Sequence, residues 1–102
     1  MSDMVAKVLL RAAELVEMGH CKDVLALDAV GVETAPENAH AVAWCVVGAI
    51  VRASHEVGKH QALVPFMAHH GFDVKGMLDW NNAPERTADE VAAALRAAAG
   101  AR

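Results

Sequence analysis

The stretch from Ala41 to Val51 constrains this chain more than any other. It reads Ala-Val-Ala-Trp-Cys-Val-Val-Gly-Ala-Ile-Val, eleven residues without a charge or a strong hydrogen-bonding side chain. A helix that is apolar on every side is stable in water only if other elements cover every side. Upstream, Thr34-Ala35-Pro36-Glu37 has the spacing of a capping box, in which a Thr N-cap and a Glu at N3 satisfy each other's free amides. Pro36 falls in the first turn, where its missing N–H does no harm. These features predict a central helix over Glu37 to His55, ended by Gly58. Along it, Ala41, Cys45, Ala49 and Ala53 form a ridge of small side chains that a neighbouring helix can approach closely.

The flanking segments predict elements to cover that helix. Val5, Val8, Leu9, Ala12, Leu15 and Val16 recur at helical spacing, so a first helix is expected from Asp3 to Met18, with Ser2 or Asp3 as N-cap and Gly19 as a left-handed stop. His20 to Val32 reads as a packed connector closed by Gly31. A third helix is expected over Lys59 to His70, with Pro65 either in its first turn or at a kink. A short helical piece over Val74 to Asp79 leads into a compact irregular turn at Trp80-Asn81-Asn82-Ala83-Pro84. Thr87-Ala88-Asp89-Glu90 is a second capping box, opening a last helix that ends at Gly100. The expected fold is all-α: residues 1–102 as a single domain, a bundle of about four main helices around a central apolar helix.

Composition narrows the function classes. The formal charge of −4 and the lack of a Lys/Arg cluster argue against a phosphate-tracking surface, so no nucleic acid is expected as partner. No apolar run reaches the roughly 20 residues that cross a bilayer, and no secretory signal is evident, so the expectation is a cytoplasmic protein without a membrane partner. Six His residues could move the charge from −4 to +2 if all were protonated. Cys21 and Cys45 form no C-x-x-C pair and are expected to stay reduced, Cys45 within the core.

Two segments carry a resemblance. Trp44-Cys45-Val46-Val47-Gly48-Ala49-Ile50 contains a C-x-x-G-A-[IL] pattern, and Trp80-Asn81-Asn82-Ala83-Pro84-Glu85-Arg86-Thr87-Ala88-Asp89-Glu90-Val91 a W-N-[DN]-x-x-x-R-T-x-x-E-V pattern. Over about residues 5 to 98 the chain resembles a small helical family of unknown function found in bacteria, phages and other mobile elements. The resemblance implies a helical, cytoplasmic protein, and it brings no activity, cofactor or substrate with it.

Candidate chemistry is sparse. His55, His60, His69 and His70 are the one possible metal cluster, but His55 and His60 are five apart across Gly58, and His69 and His70 are adjacent, which is poor spacing for one ion. No metal, cofactor or catalytic residue is therefore assigned. Arg52, Asp79, Trp80, Asn81, Asn82 and Arg86 are the most informative polar group. Arg52 interrupts an apolar helix face and needs a carboxylate or carbonyls, which Asp79 or the Asn turn can supply. Either these residues form a structural knot, or they frame a small polar pocket beside Trp80 for a ligand or a partner peptide. The favoured reading is a non-enzymatic binding or accessory protein of a bacterium or mobile genetic element, expected as a homodimer. The alternatives are a small hydrolase or metal-dependent enzyme using the His-rich region 55–70, and a structural assembly subunit.

Overall fold

Residues 3–58 and 61–100 are described by the computed structural model of the chain. Helix α1 (Asp3–Met18) forms where the apolar spacing predicts it and buries Val8, Leu9, Ala12, Ala13, Leu15 and Val16. Asp3 is its first residue, and Ser2 lies outside the described residues. Gly19 follows for a reason other than a left-handed turn: the glycines with positive φ are Gly31, Gly58 and Gly71. A Cβ on Gly19 would instead run into the carbonyl oxygen of Val42, so glycine is required there by close backbone approach.

The apolar run is not one helix. Its first part, β2 (Ala41–Trp44), is extended and pairs antiparallel with β1 (Ala26–Asp28), Ala26 opposite Trp44 and Leu27 opposite Ala43. On its other side β2 meets the chain just past α1: the Trp44 N–H donates to Gly19 O at 3.0 Å and the Cys21 N–H to Trp44 O at 3.2 Å. Helix α2 (Val46–Val57) starts only after Cys45, whose Sγ accepts the Gly48 N–H at 3.3 Å. A continuous apolar stretch has no periodicity with which to separate a buried strand from a buried helix, and long-range pairing decides between them. The Thr34–Glu37 capping box consequently does not form, and the Thr34 N–H donates to Ala26 O at 3.1 Å. With five helices and a two-stranded antiparallel sheet among the described residues, the fold is mixed α/β, which corrects the all-α bundle expected from hydropathy.

The centre of the packing is also shifted. Helix α1, rather than α2, is the shared element, lying against α5 (Ala88–Gly100), α2 and β2. The small-residue ridge works as expected at Ala49 and Ala53, both fully buried. Gly48 is fitted more tightly still, because a Cβ there would run into the Leu25 carbonyl.

The C-terminal half positions the candidate site. Helix α3 (Leu63–His70) begins after Ala62, which puts Pro65 in the first turn and removes the need for a kink. Lys59 and His60, at the expected start of that helix, lie outside the described residues. Helix α4 (Val74–Asn82) is capped by Asp73, whose Oδ1 accepts the Gly76 N–H at 2.7 Å, and runs on through Trp80, Asn81 and Asn82 instead of stopping at Asp79. Ala83 ends it at φ −54 and ψ 135, the extended conformation that Pro84 imposes. The capping box of α5 forms as its spacing predicts, with the Glu90 N–H on Thr87 Oγ1 at 3.1 Å and the Thr87 N–H on Glu90 Oε1 at 2.9 Å.

Candidate functional site

Asn81 is fully buried and is the only buried polar residue among those described. Its carboxamide uses its whole hydrogen-bonding capacity. Oδ1 accepts the Val46 N–H at 2.9 Å and faces His20 Nε2 at 2.8 Å, while Nδ2 donates to Cys21 O at 3.2 Å and to Asn82 Oδ1 at 3.0 Å. Because a backbone N–H can only donate, the atom facing Val46 must be the oxygen, and His20 must then carry its proton on Nε2. One side chain thereby ties the end of α4 to the first amide of α2 and to the segment that flanks β2.

Asn82 extends this brace outward. Its Oδ1 also accepts the Asp23 N–H at 2.9 Å, and Asp23 stands at φ 72, a left-handed conformation that Asp tolerates better than most residues. Lys22 reaches the same helix end, donating from Nζ to Ala83 O at 2.6 Å and Pro84 O at 3.2 Å. A cation beside terminal carbonyls satisfies acceptors that the helix leaves unpaired. Trp80 packs at the edge of the core, 5.7 Å from the Phe72 ring and 4.5 Å from the Arg86 guanidinium, centroid to group. Arg86 Nε also donates to Trp80 O at 3.0 Å, so the helix end is held from both sides of the turn.

Beside this brace lies a cleft of about 190 Å³, lined by Asp23, Val24, Leu25, Glu33, Leu78 and Asn82. Asp23 and Glu33 form no ion pair among the described residues. The cleft is lined by apolar Val24, Leu25 and Leu78 together with two acidic residues, Asp23 and Glu33, and Asn82.

Of the six residues singled out from the sequence, four come together: Trp80, Asn81, Asn82 and Arg86. The other two do not. Arg52 donates from Nη1 to Pro36 O at 3.1 Å and Asn38 O at 2.8 Å, pairs through Nε with Glu56 at 2.7 Å, and lies 5.5 Å from the centre of the Trp44 ring. It clamps the turns ahead of β2. Asp79 pairs with Lys75 at 2.6 Å on the exposed face of α4, so the expected Arg52–Asp79 pair is absent. The residues that sequence reasoning missed are His20, Lys22, Asp23 and Glu33, which lie far from Asn81 and Asn82 along the chain and come beside them only in the fold.

Both thiols are buried, and burial disfavours the thiolate. Burial pushes the Cys21 thiol up to about 11, with Cys45 close by adding to the effect, and burial raises the Cys45 thiol as well. The His residues are dispersed. His55 lines a separate cavity, His69 and His70 stand edge to face with centroids 4.6 Å apart, and His70 Nε2 lies 2.9 Å from Ala94 O. His60 lies outside the described residues. No group of three or more potential metal ligands occurs among the described residues. No helix among them is long and apolar enough to cross a membrane.

No curated protein and no solved structure matches the chain. A family model does match it, over residues 1–101, and the description of that model is a family of unknown function. The chain belongs to that family, DUF6197.

Proposed function

We propose that this chain is a non-enzymatic binding protein that receives one basic side chain of a partner polypeptide in the cleft beside Asn82. The observation that carries the reading is that two acidic residues, Asp23 and Glu33, which make no ion pair among the described residues, line a slot of about 190 Å³ together with apolar Val24, Leu25 and Leu78. A lysine fits such a slot in both its parts, the methylene stem against the walls and the ammonium at the carboxylates. Trp80, Asn81 and Arg86 position the helix end that forms one side. Buried, high-pKa thiols and dispersed His residues favour binding over catalysis. An accessory role in the cytoplasm of a bacterium, or of the host of a mobile element, goes with this reading through the resemblance.

The test is a comparison of two random hexapeptide mixtures, one with a central Lys and one with norleucine, each titrated against isotope-labelled protein. The Lys mixture is expected to move the Asn82 side-chain amide signals and the norleucine mixture to leave them in place. Asp23→Asn keeps a residue tolerant of φ 72 while removing the charge. That variant and Glu33→Gln are each expected to weaken binding by about three- to tenfold, the range of a partly exposed charge pair. Equal binding of the two mixtures would sink the reading.

A homodimer is favoured by a separate observation. Val30, Val32 and Val42 are 83, 58 and 46% exposed, and Val30 and Val42 share one groove. A second copy would cover them. Sedimentation is expected to show a dimer that Val30→Asp converts to monomer; a monomer at every concentration contradicts it.

A further inference from the structure

The sheet has an open edge beside the cleft. Residues 32–34 run antiparallel to β1 on the side away from β2, joined to it by an isolated bridge between Leu27 and Glu33. The Asp28 N–H donates to Val32 O at 2.9 Å and the Thr34 N–H to Ala26 O at 3.1 Å. These two bonds flank Leu27 and Glu33 and make them a non-hydrogen-bonded pair, so the N–H and C=O of Glu33 point outward from β1. Neither group has a hydrogen-bond partner among the described residues. Glu33 and Val32 are both exposed.

The free edge is short. Ala35 O already accepts the Asn38 N–H at 3.0 Å, Pro36 has no N–H, and the Gly31 N–H is turned back onto Asp28 O at 3.0 Å. Among residues 31–36, Glu33 is thus the one that offers a free donor and a free acceptor together. An antiparallel strand closes both bonds with a single partner residue, whereas a parallel strand needs two. Charge then selects the partner. From Asp23 to Val51 the chain has no Lys or Arg, while Asp23, Asp28, Glu33 and Glu37 all lie in that stretch. Residues directly opposite in antiparallel strands carry their side chains on one face, and like charges there are destabilising. An identical copy pairing at this edge would set Glu33 against itself. A basic residue in that position would meet Glu33 on the side that lines the cleft.

We propose that the partner polypeptide docks on this edge as an extended antiparallel strand, its N–H on Glu33 O and its C=O on the Glu33 N–H, with the basic residue of the cleft at the paired position. Unpaired strand edges are ready templates for such addition. The backbone pairing rests on the edge alone, and the identity of the paired side chain rests on the cleft reading above.

The probe is acetyl-Thr-Val-Lys-Val-Thr-amide, titrated into the isotope-labelled full chain. The Glu33 amide signal is expected to move downfield as its N–H gains an acceptor, and the Asn82 side-chain signals to move with it. Methylating the Lys backbone nitrogen removes the donor aimed at Glu33 O and is expected to weaken binding by about three- to tenfold, the worth of one hydrogen bond. Methylating the nitrogen of the following Val, whose N–H points away from the edge, is expected to leave binding within about twofold. A norleucine peptide separates the two readings: if it moves the Glu33 amide equally, with the same response to methylation at the paired position, the strand stands and the basic-side-chain cleft falls. Movement of the Asn82 signals without the Glu33 amide, or equal losses from the two methylations, overturns the strand and leaves the cleft in place. A Glu33 amide that stays still at about 5 mM peptide overturns the strand as well.

Discussion

At the scale of single residues, Gly48 and Asn81 both act on backbone groups of other segments. Gly48 sits in the first turn of α2 with the Leu25 carbonyl where a Cβ would be. In an unhindered helix, Gly→Ala gains about 1 kcal/mol. Here Gly48→Ala is expected to lose about 1–3 kcal/mol, because a carbonyl bonded to the Cys45 N–H cannot retreat without breaking that bond. Gly100→Ala is the control, since nothing lies within 4 Å of a Cβ there, and it should leave stability unchanged or slightly raised. Chemical denaturation of the two variants separates these outcomes. Asn81 is the second position. A buried carboxamide with all its bonds made stabilises a unique arrangement, and truncating it strands a buried N–H and a buried carbonyl.

At the scale of elements, local signals were legible and long-range ones were not. The Thr87–Glu90 box forms because both partners lie within one turn. The same pattern at Thr34–Glu37 fails because Ala26 takes the Thr34 amide into the sheet edge. The apolar run carries no local sign of its break for the same reason: β1 and the Gly19–Cys21 segment, far away in sequence, decide that Ala41–Trp44 is extended. The polar group around Trp80 was visible because Trp, Asn and Arg cluster in sequence. Its partners His20, Lys22 and Asp23 were not, since nothing in their own segment marks them.

Ion pairs between elements make acid a further test at this scale. Glu90 titrates below its ordinary 4.5 because the Thr87 N–H bonds to it. Glu56 is held below 4.5 as well, burial opposing its charge but the hydrogen bonds from Arg11 and Arg52 prevailing. A carboxylate with a depressed folded pKa contributes stability that is fully present above its unfolded pKa and is lost as pH falls through the folded value. The melting temperature is therefore expected to hold above about pH 5 and to fall below about pH 4.5. Glu56→Gln should flatten that fall. A variant whose acid profile superimposes on the parent's would show that these contacts contribute nothing.

At the scale of the whole molecule, the fold is one helix, α1, with α5 on one side, α2 on another and a small sheet across its end. Asn81 joins α4 to the start of α2 and to the strand-flanking segment. The cleft beside Asn82 inherits its shape from that brace, through the bond from Asp23 N–H to Asn82 Oδ1. A partner side chain entering the slot would therefore meet walls already in place, which lowers the ordering cost of binding.

Hydrogen exchange at the Val46 amide reads the Asn81 brace itself. Val46 is the first residue of α2, where an N–H has no partner within its own helix and would exchange quickly unless something else bonds to it. With Asn81 Oδ1 at 2.9 Å, that amide is expected to be among the slowest in the protein, and Asn81→Ala is expected to speed it by at least about a hundredfold relative to amides in the middle of α5. A fast Val46 amide in the parent protein, or a slow one that Asn81→Ala leaves unchanged, would contradict the claim that Asn81 holds the break between strand and helix.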